Sequence, residues 1–163
     1  MKPITLRRSL PRKLESGAAA IEFAIIFPIM LAVAYAGLVY AYIYLLQQSI
    51  NFAAQQGVQA AVAVPPSSNP TADVQSRLAQ AELVRKGTLN WLPSDQAGRI
   101  TAQSPATCPG APAPGSNTFV YQISFAVSGG SNTALFPSLV NLPGVGTVPP
   151  LPTTLIACAV GYT

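Results

Sequence analysis

One uninterrupted apolar run dominates the chain at residues 23–46, where only Pro28 and Gly37 depart from aliphatic or aromatic side chains. A helix rises about 1.5 Å per residue, so a run of this length covers about 36 Å, more than the roughly 30 Å hydrocarbon core of a bilayer. A removable secretory signal usually has an apolar core of only about 7–15 residues. The pattern therefore predicts a permanent transmembrane helix over residues 18–46.

The helical pattern continues beyond this run, but it becomes amphipathic. Ile50, Ala54 and Val58 share one helical face, while asparagine and glutamine side chains occupy another. Pro65 begins a Pro-Pro pair, and proline lacks the backbone N–H that a helix interior requires. We therefore predict that the same helix extends through residues 47–64 and ends there.

The rest of the chain, residues 65–163, predicts a small domain that begins with a short second helix. Thr71 is the predicted N-cap of this helix, Asp73 lies in its first turn, and the helix is expected to end before Gly87. We expect it to be only half buried. Its predicted inner face comprises Val74, Leu78, Ala81 and either Val84 or Arg85.

Later stretches alternate with a period of two, as strands do. Residues 118–127 and 153–163 show this alternation, and residues 99–103 form a candidate third strand. The connecting loops, including residues 143–152, contain too much proline and glycine for regular structure. We predict a small antiparallel sheet and hence an α+β fold. The side chains expected to share a face are Phe119, Tyr121, Ile123, Phe125 and Val127 in one strand, and Ile156, Cys158, Val160 and Tyr162 in the last.

The positive charge is confined to the N-terminus. The first 17 residues hold five basic side chains and one acidic one, whereas four of each sign balance from residue 18 onward. The formal net charge of +4 therefore indicates membrane topology rather than nucleic-acid binding. Basic flanks stay in the cytoplasm, so we predict a cytoplasmic leader over residues 1–17 and a domain that crosses the membrane. The topology signal comprises Arg7, Arg8, Arg12 and Lys13.

The composition gives little support to catalytic chemistry. The chain contains no histidine, and its acids outside the leader and the membrane segment are Asp73, Glu82 and Asp95. The sequence shows no paired carboxylates, no nucleophile with a base and no glycine-rich phosphate loop. We therefore predict a protein that is not an enzyme and takes no metal, cofactor or small-molecule substrate.

Two cysteines remain, Cys108 in a proline-rich loop and Cys158 in the last predicted strand. Two thiols without histidine or nearby acids make a poor metal site. In an oxidising compartment they favour a disulfide, which would close a loop of about 50 residues and contribute roughly 4 kcal/mol by chain entropy. The alternative is two unpaired thiols, with Cys158 packed in the core.

Glu22 is the one acid at the edge of the apolar run. A carboxylate in this position costs free energy, a few kcal/mol at the membrane centre and less near the interface. One interpretation is that Glu22 extends to the lipid headgroups. The other begins at the Gly17-Ala18 junction, because cutting the chain there would create a positive amino terminus at Ala18. That amine, on the same subunit or a neighbour, is a plausible partner for Glu22 in a low dielectric.

The stretch GAAAIEFA, preceded by basic residues and followed by the apolar run, resembles the processing motif of type IV pilin-like proteins. It is most similar to the TadE-like pseudopilins of the tight-adherence (Tad/Flp) pilus system. The resemblance implies that a prepilin peptidase cuts between Gly17 and Ala18. Glu22 is then the fifth residue after the cut, and Phe23 is the aromatic residue that follows it. Major pilins of this system usually have tyrosine in place of Phe23, a departure that favours a minor pilin or pseudopilin.

The resemblance implies a single-pass protein of the bacterial inner membrane that acts in pilus assembly, with its C-terminal domain in the periplasm. The implied partners are the peptidase, other pilins or pseudopilins, inner-membrane assembly proteins and the bilayer. An uncleaved, signal-anchored binding or scaffold protein in the periplasm is the alternative.

Two features of the apolar helix bear on its packing. Pro28 deprives the Ala24 carbonyl of its helical hydrogen bond, which predicts either a kink or a proline that the membrane helix tolerates. Small residues allow helices to approach closely. These are Ala19, Ala20, Ala24, Ala32, Ala34, Ala36 and Gly37.

Overall fold

The computed structural model describes residues 15–105, 107–109, 117–128, 135–136, 140–142 and 146–162. The chain divides into two compact units, and the division follows Leu38. In chain order the elements are α1 (Glu15–Val62), α2 (Pro70–Thr88), α3 (Ser94–Ala97), β1 (Ile100–Gln103), β2 (Thr118–Ala126), β3 (Val140–Leu142), β4 (Gly146–Val148) and β5 (Thr154–Tyr162).

The predicted α+β class, with a long N-terminal helix, a shorter second helix and a small antiparallel sheet, is confirmed. Helix α1 is 48 residues long and contains Pro28 in its interior. It ends at Val62, just before the Pro65-Pro66 pair that was expected to stop it. The segment after the apolar run therefore does continue the same helix.

Strand β2 is the centre of the three-stranded sheet, whose order is β1-β2-β5 and whose pairings are antiparallel. The five alternating residues predicted to share a face of this strand, Phe119 to Val127, are all buried. On the opposite face Val120 and Gln122 are buried as well, so both faces of this part of β2 are covered. The sheet is thus more enclosed than the alternation alone predicted.

Strand β5 turns the other face of its alternation toward the core. Its register places Leu155 opposite Phe125 and Ala157 opposite Ile123, and both β5 residues are buried. The predicted set on the other side faces outward, with Tyr162 81% exposed. Period-two alternation divides a strand into two faces, but here both faces carry apolar side chains, so the pattern did not identify the buried one.

Small residues let α1 approach the sheet closely. A Cβ added to Gly57 would lie 2.9 Å from the Tyr121 ring, and one added to Gly161 would lie 2.5 Å from Val58. The helix and the sheet therefore enclose one core. Its buried members include Leu46, Ile50, Ala53, Ala54, Val58 and Ala61 from α1, Ala81 from α2, and the inward residues of β2 and β5.

The predicted cap of α2 was wrong by two residues. Asn69, not Thr71, is the N-cap, since its side chain accepts hydrogen bonds from the backbone N–H groups of Thr71 at 3.0 Å and Ala72 at 3.4 Å. Pro70 then occupies the first helical position, where its missing N–H costs nothing. The helix also continues through Gly87 and ends at Thr88.

The inner face of α2 differs in part from the prediction. Ala81 is fully buried as expected, but Val74 is 46% exposed, and the buried residue near it is Arg77. The predicted loop at 143–152 also contains a short strand, because β4 pairs with β3 in a separate two-stranded sheet.

Candidate membrane and processing segment

The part of α1 that precedes Val39 exposes nearly all of its large apolar side chains. Leu38 is 73% exposed and Ile29 is 63% exposed, values typical of side chains with no protein around them. This helix is the one in the described part of the chain that is long and apolar enough to cross a membrane, and only 6% of its most apolar window is buried. The other exposed members are Ile21, Phe23, Ile25, Ile26, Phe27, Met30, Leu31 and Val33.

The predicted processing residues lie within the first turns of α1. Gly17 and Ala18 follow the helix start at Glu15 by two and three residues, so the bond between them is helical in this structure. Gly17 is exposed, and a Cβ added to it would meet nothing within 4 Å. A larger side chain at this position therefore has room within the chain itself.

Glu22 and Phe23 are exposed on the same helix. The Phe23 ring stacks on that of Phe27, with centroids 5.2 Å apart, as expected for residues one turn apart. Glu22 is the only charged residue from residue 18 to residue 72. The topology signal, Arg7, Arg8, Arg12 and Lys13, lies outside the described residues.

The part of α1 from Val39 to Leu46 has a different environment, because the domain covers one of its faces. Val39 and Leu46 are 2% and 0% exposed. The Tyr40 hydroxyl donates a hydrogen bond of 3.1 Å to the Pro150 carbonyl. The Tyr42 hydroxyl donates one of 2.7 Å to Gln96 Oε1. Apolar residues that look alike in the sequence therefore divide into an exposed group before residue 39 and a partly buried group after it.

The buried side chain of Arg77 ties α2 to the end of α1. The buried Arg77 guanidinium donates from Nε to Asp73 Oδ2 at 2.7 Å and from its terminal nitrogen to the Ala61 carbonyl at 2.9 Å. Ala61 lies in the last turn of α1, where carbonyls lack helical partners. The Arg77 hydrogen bond, together with one from the Ser67 backbone N–H, holds the pKa of Asp73 below its ordinary value. The cluster fixes the position of α2 and has no catalytic arrangement.

A second polar cluster lies between α2 and the sheet. Tyr121, which is fully buried, donates from its hydroxyl to Glu82 Oε1 at 3.2 Å. Arg85 holds the other oxygen of that carboxylate at 2.6 Å. Burial first, and then the negative charge of Glu82, raise the pKa of Tyr121 well above its ordinary value of 10.0. The phenol therefore stays neutral at physiological pH and serves as a buried hydrogen-bond donor.

The predicted disulfide is confirmed. Cys108 and Cys158 are bonded, with their Cα atoms 5.7 Å apart and a sequence separation of 50. The bond fastens the proline-rich loop to β5, opposite Gln122 of the central strand. Within the described residues there is no free cysteine and no group of three acidic, cysteine or histidine side chains that could hold a metal ion.

Sequence reasoning missed three structural residues. Arg77 is charged and was not assigned to a buried face, although Asp73 four residues earlier was a signal for an ion pair. Asn69 was overlooked as a cap, although Pro70 after it marks the first helical position. Tyr42 lies within the predicted transmembrane helix, and nothing in its local pattern indicates the partner Gln96, which is 54 residues away.

Comparison with known proteins supports the resemblance derived from the N-terminal motif. The family model described as TadE-like protein matches residues 17–59, which begin at the predicted cut and end inside α1. No curated protein and no solved structure matches the chain. The predicted similarity to TadE-like proteins is therefore confirmed for this segment.

Proposed function

We propose that this chain is a TadE-like pseudopilin, made as a precursor, cut between Gly17 and Ala18, and used in the assembly of a tight-adherence pilus. The carrying observation is that the family match covers residues 17–59. Within it, Gly17, Glu22 and Phe23 occur in the register of the processing motif, on a helix that exposes them. A signal-anchored periplasmic binding or scaffold protein is the competing function.

The position of Gly17 in the first turn of α1 favours cleavage there. A peptidase needs an accessible and locally extended backbone, and helix ends open more readily than helix interiors. Glycine lowers the cost of that opening, since it is about 1 kcal/mol less favourable than alanine inside a helix. Hydrolysis of this amide bond leaves a carboxylate on Gly17 and a new ammonium group on Ala18.

The new ammonium group gives Glu22 a partner of opposite charge. Both would lie where the apolar helix begins, a region in which an unpaired carboxylate is costly and an ion pair is strengthened by the low dielectric. The partner amine belongs to the same subunit or to a neighbouring one. In the second case the pair would set the register between adjacent helices during assembly.

The charge distribution and the disulfide support a cytoplasmic N-terminus and a periplasmic domain. The basic leader would remain in the cytoplasm with the peptidase, and the domain after residue 38 would lie in the periplasm. An oxidising compartment suits the Cys108–Cys158 bond, since cytosolic thiols are usually kept reduced. The exposed apolar helix then keeps the subunit in the inner membrane until other pilins or pseudopilins pack against it.

Chromosomal variants at Glu22 in the producing bacterium test the assembly role. Glu22→Gln preserves the shape of the side chain but removes its charge, so we expect normal membrane insertion and a loss of surface pili. Glu22→Asp, which retains the charge, is the matched control and should retain more piliation. Full piliation by the Gln variant would contradict the proposed ion pair. Normal piliation in a strain that lacks this chain altogether would instead favour the periplasmic binding protein.

A further inference from the structure

The burial of α1 changes at residue 39, and this change bears on where the membrane-spanning part of the helix ends. Residues 23–46 form one apolar run in the sequence, so hydropathy alone puts the outer membrane boundary near Leu46. We infer that the hydrocarbon core ends at Leu38, and that the turn beyond it, with the exposed rings of Tyr40 and Tyr44, contacts the lipid headgroups. The inference rests on the membrane span within the proposed function and adds where that span ends.

The first observation is that the domain itself buries one apolar face of α1 after Leu38. Val39, Ile43 and Leu46 are 2%, 8% and 0% exposed, because they belong to the face of α1 that the domain covers. Ile43 and Leu46 are members of the same core that includes the inward residues of the sheet. These side chains need no lipid to remove them from water.

The second observation is the polar backbone that accompanies this turn. Tyr40 bonds to the carbonyl of Pro150, which lies in an irregular and exposed stretch before β5. Irregular backbone does not occur facing lipid within the hydrocarbon region, because its polar groups would lack partners. A boundary at Leu46 would carry this stretch into the hydrocarbon together with Tyr40.

The third observation concerns charge. Tyr42 bonds to Gln96, and the neighbouring Asp95 is exposed. A boundary at Leu46 would place Tyr42 about 6 Å inside the hydrocarbon at 1.5 Å per residue. Asp95 would then be drawn toward a medium in which an ionised carboxylate costs several kcal/mol or more. With the boundary at Leu38, this carboxylate stays in water.

Residues 18–38 are long enough to span the hydrocarbon core, and they are followed by residues typical of a membrane interface. Residues 18–38 as a helix cover about 32 Å, which matches a hydrocarbon core of about 30 Å. Tyrosine is enriched at membrane–water interfaces, where its ring is apolar and its hydroxyl is hydrated. Tyr40 and Tyr44 are 44% and 66% exposed directly after this segment.

Single-cysteine variants of the full-length chain can locate the boundary, because both native cysteines are bonded and should not react with maleimides. The positions Ile29, Leu38, Tyr44 and Phe52 suit this purpose, since each is between 54% and 73% exposed in the protein. Differences in labelling between them therefore report lipid rather than the domain. The measurement is labelling of intact spheroplasts with a membrane-impermeant maleimide, and a denatured sample gives the total.

We expect Tyr44→Cys to be labelled as readily as Phe52→Cys, Ile29→Cys to lose labelling, and Leu38→Cys to lie between them. If Tyr44→Cys is protected like Ile29→Cys while Phe52→Cys reacts, the boundary lies near Leu46 and the inference is wrong. Leu45→Cys, 48% exposed, is a second position in the same turn in case Tyr44→Cys fails to fold.

Failure of the proposed function gives a different pattern. Labelling of Ile29→Cys as fast as Phe52→Cys would mean that no span exists. Labelling of Phe52→Cys only in inverted vesicles would mean that the orientation is reversed, and Tyr44→Cys in those vesicles would then decide the boundary. Neither result depends on whether Gly17 is cleaved.

Discussion

Replacing Tyr121 with phenylalanine should make the protein less stable at neutral pH but less sensitive to alkali. The phenol is fully buried, and only its oxygen is lost in Tyr121→Phe, so the ring packing against α1 is retained. Its hydrogen bond to Glu82 is long at 3.2 Å, and Glu82 keeps its contact with Arg85. We therefore expect the variant to lose about 1 kcal/mol of unfolding free energy at pH 7, in the middle of the usual range for one hydrogen bond.

At alkaline pH the same substitution should favour the variant, because only the wild type loses unfolding free energy as the Tyr121 phenol titrates. The pKa of Tyr121 is raised in the folded protein, so the folded state binds the phenol proton more tightly than the unfolded chain, whose pKa is about 10. The stabilisation is fully present below pH 10 and is lost above it, at up to about 1.4 kcal/mol per pH unit. At pH 11 the wild type has therefore lost about 1.4 kcal/mol of unfolding free energy through this phenol, and the phenylalanine variant has no such loss.

Urea unfolding at pH 7 and pH 11, with the full-length chain in detergent and near-ultraviolet circular dichroism as the probe, measures both effects. All other titrating groups are shared, so they cancel in the difference between wild type and variant. The wild type should be the more stable protein at pH 7, and the order should reverse or become equal by pH 11. A stability difference that stays constant across this range would refute the reasoning, because it would show that the Tyr121 pKa is not raised by folding.

Three further predictions concern the packing of the domain, and each is checked by the urea midpoint. Gly161→Ala should be destabilising by about 1–3 kcal/mol through overpacking against α1. Gly87→Ala is the control, since an added Cβ has open space there, and it should be stabilising by up to about 1 kcal/mol. Equal effects of the two substitutions would contradict the close approach of Gly161 to α1. Replacing both Cys108 and Cys158 with serine should cost about 4 kcal/mol, as the 50-residue separation predicts, and a midpoint unchanged from the oxidised wild type would be inconsistent with that. Arg77→Lys should cost about 1.5–3 kcal/mol, since lysine lacks the fork that reaches both Asp73 and the end of α1, and full stability would show that one contact suffices.

The sequence was most informative where one periodic signal ran for many residues. The apolar run and its amphipathic continuation predicted α1, and the alternation of residues 118–127 predicted β2. An amphipathic or alternating pattern reflects one face that must be buried, and an uninterrupted apolar run reflects an apolar surrounding. The two cysteines of a chain without histidine favoured a disulfide over two unpaired thiols, and the structure shows the bond.

Long-range packing accounts for what the sequence did not predict. Val39 and Leu38 are both aliphatic neighbours in one run, yet the domain buries the first and leaves the second 73% exposed. No local period distinguishes a side chain covered by protein from one covered by lipid, since both environments are apolar. The outward face of β5 and the buried Arg77 were missed for the same reason, because their partners lie on other elements.

Cleavage of the N-terminus is the central claim, and the intact mass of the chain tests it most directly. The protein is produced in membranes with and without a Tad-type prepilin peptidase, purified and weighed by mass spectrometry, and its first residue is identified. Gly17→Val should block the cut, whereas Gly37→Val is the matched control in the same helix, since an added Cβ meets nothing within 4 Å at either position.

With the peptidase, we predict a loss of residues 1–17 and a new amino terminus at Ala18 in the wild type and in the Gly37 variant. The Gly17 variant should keep its full mass. A wild-type chain that retains its full mass in the presence of an active peptidase would contradict the account.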